Sequence, residues 1–222
     1  MPSTSKWVQS PTRANKTIAC RPAYSQSGRV ARLLSEIFGT PTFIGSMALV
    51  AALPFGIGNA SAASFTITGT SSTAQTLGTA SGQTGSVASG ASLTVSGSTV
   101  AVTISGNNAT LTNLGTILQT GTGRVIRDNT GVTGLSITNG SATNSTAMMQ
   151  SADADVIQMN KSPASVMLSN YGTMTSLNAS AGGSQVVDFT AIASGSNIVN
   201  NYAGATMTAY EADSVRPGVN GV

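Results

Sequence analysis

Arg124-Val125-Ile126-Arg127-Asp128-Asn129, Asp155-Val156-Ile157-Gln158-Met159-Asn160 and Gln185-Val186-Val187-Asp188-Phe189-Thr190 align by residue type, with first residues 31 and 30 positions apart. A second series interleaves with the first. It runs Leu111-Thr112-Asn113-Leu114-Gly115-Thr116-Ile117, then Leu168-Ser169-Asn170-Tyr171-Gly172-Thr173-Met174, then Val199-Asn200-Asn201-Tyr202, and Asn170 and Asn201 are again 31 apart. Leu135-Ser136-Ile137-Thr138-Asn139-Gly140 is a weaker member, 31 residues before Val166-Met167-Leu168. Each run is short, rich in Val, Ile, Leu, Met and Thr, and bounded by Gly, Ser and Asn, which is how strands and their turns are written. Asn and Gly tolerate positive φ and make sharp corners.

One such unit cannot bury its apolar residues alone. Stacking units along an axis gives them a continuous interior and pairs each strand with its copy one rung away. The repeat therefore predicts an all-β chain, a right-handed parallel β-helix, over residues 111–222. The rival is a β-sandwich, whose strands need not repeat in sequence. Equivalent residues of successive rungs stand about 4.8 Å apart, so Val125, Val156 and Val186 are expected to stack in one core column. Asn113, Asn170 and Asn201 are expected near a shared corner, each amide bonding to its copy above and below.

Residues 63–110 read as a less regular N-terminal cap. Phe65-Thr66-Ile67-Thr68, Leu93-Thr94-Val95 and Thr99-Val100-Ala101-Val102-Thr103-Ile104 alternate apolar and polar as half-buried strands do. Between the first two lies a stretch almost wholly of Gly, Ser, Thr and Ala.

Charge divides the chain differently. Residues 1–62 hold six of the ten basic residues and one acid, Glu36, whereas the remainder holds four basic residues and six acids. The basic balance thus belongs to the front and does not argue for nucleic-acid binding, which needs a basic patch on the folded part. After the basic stretch comes an apolar run from Phe43 to Leu53, interrupted by Pro54 and Gly56 and followed by Ala60-Ser61-Ala62. The order basic, apolar, small-x-small is a secretory signal, with cleavage expected between Ala62 and Ala63. A bilayer-spanning helix needs about 20 apolar residues, so an uncleaved membrane anchor is the lesser alternative. The single cysteine, Cys20, falls inside this presequence, leaving residues 63–222 without a disulfide.

Asn113-Leu114-Gly115-Thr116-Ile117, nearly repeated as Asn170-Tyr171-Gly172-Thr173-Met174, resembles the Asn-x-Gly-Thr-Ile corner of Gram-negative autotransporter passenger domains. With the presequence, the resemblance covers nearly the whole chain. It implies a β-helical passenger carried to the cell surface by an outer-membrane β-barrel. No set of alternating, aromatic-girdled barrel strands follows Tyr210. The expectation is therefore a truncated product, a fragment, or the N-terminal piece of a longer reading frame.

The chain has no histidine, which removes Ser-His-Asp and Cys-His triads and histidine metal sites. Neither a catalytic residue set, nor a metal site, nor a cofactor is expected. Asp153 and Asp155, two residues apart and so expected on one face of a strand, and Asp188 are the acids on which a carbohydrate-active β-helical enzyme, the alternative function, would have to rely. The opposing expectation for Asp153-Ala154-Asp155 is a solvated turn. Arg124, Arg127 and Asp128 form either an anion or glycan contact or a solvated strand edge. Tyr171 and Tyr202 either stack or offer a sugar platform. The functional expectation is a non-catalytic, exported stalk or adhesin. Its partners would be the export machinery and a host surface protein or glycan.

Overall fold

The computed structural model describes residues 64–222. The presequence and its cleavage residues Ala60, Ala62 and Ala63 lie outside the described residues. Among the described residues, eighteen short strands follow one another without a helix, and they group in threes. The first rung is β1 (Phe65–Ile67), β2 (Thr70–Ser71) and β3 (Gln75–Leu77), and the second is β4 (Thr84–Val87), β5 (Ser92–Val95) and β6 (Val102–Ile104). The third is β7 (Thr110–Asn113), β8 (Thr116–Gln119) and β9 (Ile126–Asp128), and the fourth β10 (Leu135–Asn139), β11 (Met148–Ser151) and β12 (Ile157–Met159). The fifth is β13 (Val166–Asn170), β14 (Thr173–Ser176) and β15 (Val187–Asp188), and the sixth β16 (Asn197–Asn201), β17 (Thr206–Ala209) and β18 (Val215–Arg216).

The first strands of all rungs form one six-stranded sheet (A), the second strands another (B), the third strands a third (C). Every pairing between named strands is parallel. A sandwich of antiparallel strands is thereby excluded, and the fold is a parallel β-solenoid.

The described part of the 63–110 segment supplies the first two rungs, β1 to β6, in register with those that follow. Its rungs escape notice in the sequence because they are shorter. Phe65 pairs with Gly85, 20 residues on, whereas Met174 pairs with Met207, 33 residues on. The 31-residue spacing is real where Leu168 pairs with Val199 and Ile126 with Ile157, but turn length varies elsewhere. Register is held by the strands while the turns absorb the difference.

Alternation along each strand sends every second side chain inward. Sheet A contributes the column Phe65, Gly85, Leu111, Ile137, Leu168 and Val199. Gly85 is a packing requirement, since a Cβ there would lie 2.6 Å from the Phe65 ring. Val125, Val156 and Val186 are fully buried, one residue ahead of the register partners Ile126, Ile157 and Val187. Their column occupies the bend into sheet C rather than the strands. The Val156 carbonyl accepts from Ile126 N–H and that of Val186 from Ile157 N–H, both at 2.8 Å.

Candidate functional site

Two polar arrangements stand out on this scaffold, one buried at the corner between sheets A and B, the other on the outer face of sheet C.

At the corner, four asparagines lie in register: Asn113, Asn139, Asn170 and Asn201. The first three are wholly buried. Asn113 Nδ2 donates to Asn139 Oδ1 at 2.8 Å, Asn139 Nδ2 to Asn170 Oδ1 at 2.8 Å, and Asn170 Nδ2 to Asn201 Oδ1 at 2.7 Å. The second N–H of each amide donates across the corner to sheet B, to Met148 O, Thr173 O and Thr206 O respectively. Asn113 Oδ1 and Asn170 Oδ1 also accept from Gly115 N–H and Gly172 N–H, each at 3.2 Å. A Cβ on Gly172 would sit 2.2 Å from the Ala147 carbonyl oxygen, which explains the glycine two residues after that asparagine. The sequence places Asn113, Asn170 and Asn201 here. Asn139 is an equal member that a diverged neighbourhood made look weaker.

Outside the same corner, Tyr171 and Tyr202 stack with ring centroids 4.0 Å apart and planes 5° from parallel. The next corner, from sheet B to sheet C, also uses buried polar side chains. Gln119 Nε2 donates to Gly97 O and Thr99 O, and Ser176 Oγ to Ala154 O.

On sheet C the outward column is Thr103, Arg127, Gln158, Asp188 and Arg216. Asp155 is buried at 5% exposure and fully engaged. Its Oδ1 accepts from Gln185 N–H at 2.9 Å, and its Oδ2 accepts from Arg124 Nε and Gln158 Nε2, both at 3.2 Å. Gln158 Nε2 also reaches Asp188 Oδ2 at 3.3 Å, so one amide bridges two carboxylates. Asp188 Oδ1 accepts from the backbone N–H and hydroxyl of Thr190. Arg127 has no carboxylate partner within ion-pair distance among the described residues. Its pKa is lowered by desolvation first and by neighbouring Arg124 second, with Asp155 acting in the opposite sense. Arg127 Nε and Gln158 Oε1, a donor and an acceptor one rung apart, are buried without partners.

The remaining sequence candidates fall elsewhere. Asp153 and Asp155 do not share a strand face: both precede β12 in the turn after β11, with Asp153 exposed and Asp155 buried. Asp128 is buried and caps its own turn, accepting from Thr130 N–H, Thr130 Oγ1, Gly131 N–H and Val132 N–H. It is therefore not part of the outward face that carries Arg124 and Arg127. Gln158, Gln185 and Arg216 were not singled out in the sequence. Gln158 and Gln185 carried one signal there, alignment with Arg127 and Arg124; Arg216 carried none and joins Asp188 only through the register of β15 and β18. No group of three His, Cys, Asp or Glu stands together as a metal site among the described residues.

Comparison with family models, curated proteins and solved structures gives no match.

Proposed function

We propose that the protein is a non-catalytic, exported β-solenoid, a stalk or adhesin segment of the autotransporter-passenger kind. The observation that carries this reading is the buried asparagine ladder. Its buried amides bond from rung to rung and across the corner to sheet B. The carboxylates of the sheet C face are occupied in the same way. Asp155 accepts from Arg124, Gln158 and the Gln185 backbone, and Asp188 from Thr190. Such carboxylates brace a surface and leave little freedom for proton transfer. The basic–apolar–small-residue order of the presequence supports export. An outer-membrane β-barrel on the full-length protein and a host protein or glycan at the outer faces complete the proposal.

The competing reading, a carbohydrate-active enzyme fragment, draws on one observation: Asp155 and Asp188 meet at a single Gln158 amide. The deciding experiment expresses the full chain with an epitope in the exposed Ser180–Gly182 turn. Export predicts a product outside the cytoplasm whose N-terminus is Ala63. A product held in the cytoplasm with residues 1–62 intact defeats the proposal. Glycan turnover that disappears in Asp155→Asn and Asp188→Asn would favour the enzyme.

A further inference from the structure

Charge is confined to one side of the solenoid. Among the described residues, no strand of sheet A or sheet B carries an acid or a base, whereas the strands of sheet C carry Arg127, Asp128, Asp188 and Arg216. The cations of this side are not equally served. Arg124 pairs with Asp155 at 3.2 Å and Arg216 with Asp213 at 3.4 Å, each through Nε. Arg127 has no such partner. Asp128, beside it in the chain, is turned onto its own turn. Asp155 already accepts from Arg124, Gln158 and Gln185.

Arg127 is therefore a half-buried charge with nothing to balance it. Its Nε is covered and unpartnered, which leaves the Nη edge of the fork for a ligand. Desolvation first, and the nearby Arg124 second, disfavour its charge, and an anion beside it would offset both. Two parallel N–H groups on a planar fork match a carboxylate.

What surrounds Arg127 narrows the ligand further. Above it, Gln158 is committed to Asp155 and Asp188. Below it in the same outward column come Thr103 and then Thr76, both half-buried. Residues 64–123 contain no charged residue at all. The open direction is thus downward, along about 10 Å of neutral, hydroxyl-bearing face that ends on one cation. A sugar acid joined to neutral sugars has the complementary arrangement, one carboxylate followed by hydroxyls. A nucleic acid would ask for a string of cations. An acidic peptide would find one cation for several carboxylates.

We infer that the outer face of sheet C from Arg127 down to Thr76 binds an acidic glycan, in which a uronate carboxylate meets the Arg127 fork and neutral sugars lie over Thr103 and Thr76. The inference deepens the adhesin reading and rests on it for the source of the anion.

The test titrates the purified full chain at low salt with a hyaluronan oligosaccharide, in which glucuronate alternates with a neutral sugar. Because the protein is purified, the result is separate from that of the export experiment. Arg127→Gln should weaken binding about fivefold or more. The basic presequence is present in both proteins and cancels from the comparison. Arg127→Lys keeps the charge, guards against a mere folding defect, and should bind with intermediate affinity because it lacks the fork. The Arg127-dependent part of binding should vanish with the carboxyl-reduced oligosaccharide and fade as salt is raised. The inference is overturned by no binding, by equal binding of the wild type and Arg127→Gln, or by Arg127-dependent binding that survives carboxyl reduction. Free glucuronate bound as tightly as the oligosaccharide would reduce the site to an ion contact and overturn it too. So would a polyglutamate peptide bound more tightly than the oligosaccharide through Arg127, because the partner would then be an acidic protein segment.

Discussion

The asparagine corner and the outer face of sheet C are both columns of polar side chains one rung apart, yet they are composed by opposite rules. The corner repeats one residue: Asn113, Asn139, Asn170 and Asn201. The face never repeats a charge in successive rungs. Arg127 is followed by Gln158, Asp188 and Arg216, and Arg124 is followed by Asp155 and then Gln185. The difference follows from hydrogen-bonding inventory. A carboxamide is donor and acceptor at once, so it is its own best neighbour at strand spacing. A guanidinium only donates and a carboxylate only accepts. A column of either would set like charges about 4.8 Å apart. Identity thus serves where the column is dry, and alternation where it is charged.

The comparison can be broken most forcefully between the two regions, in the dry valine column. Val156→Asp puts a charge where nothing can pair it, and about 4 kcal/mol or more of stability should be lost. Chemical denaturation would read this as a large fall in midpoint. A loss under about 1 kcal/mol would mean that the column is hydrated.

Asn139→Ala comes next. It leaves one of the two N–H groups of Asn113 Nδ2 without an acceptor, and it takes from Asn170 Oδ1 one of two donors, with Gly172 N–H remaining. The expected cost is about 2–4 kcal/mol, and Asn139→Asp should be at least as damaging because a carboxylate cannot donate to Asn170. If Asp were tolerated as well as Asn, self-complementarity would not be what selects the amide.

Gln158→Glu tests alternation. A third carboxylate would face Asp155 and Asp188, at an expected cost of about 1–2 kcal/mol. Salt screens such repulsion between partly exposed charges. Denaturation midpoints in low and high salt would show it, and a penalty indifferent to salt would argue for lost packing alone.

Asp153→Asn is the smallest change, within about 0.5 kcal/mol, because the side chain is exposed in a turn. A larger loss would assign it a partner.

What the sequence displayed was the part that stays identical from rung to rung. Val125, Val156 and Val186 share a residue type and a spacing, as do Asn170 and Asn201, so their registers could be written down before any coordinates. The first rungs were hidden because their core column changes identity, from Phe65 to Gly85 to Leu111, and because their turns are shorter. The large ring of one rung is accommodated by the missing side chain of the next, a relation that no single-position pattern displays. The sheet C face was half visible. Its alignment was legible, but the bridging of Asp155 and Asp188 by Gln158 depends on rotamers, and the diversion of Asp128 into its own turn depends on local backbone.

The ladder also has a direction. In Asn113, Asn139 and Asn170 an N–H of the amide points toward the following rung, and in Asn139, Asn170 and Asn201 the oxygen points toward the preceding one. The small dipoles of the amides add along the axis instead of cancelling. The solenoid thus carries an arrow in its interior, oxygen at the tail and N–H at the tip. A second ladder of the same kind can extend it tail to tip, but two tips brought together would oppose donor to donor. The column that fastens the rungs therefore also dictates the sense in which anything can be added to them.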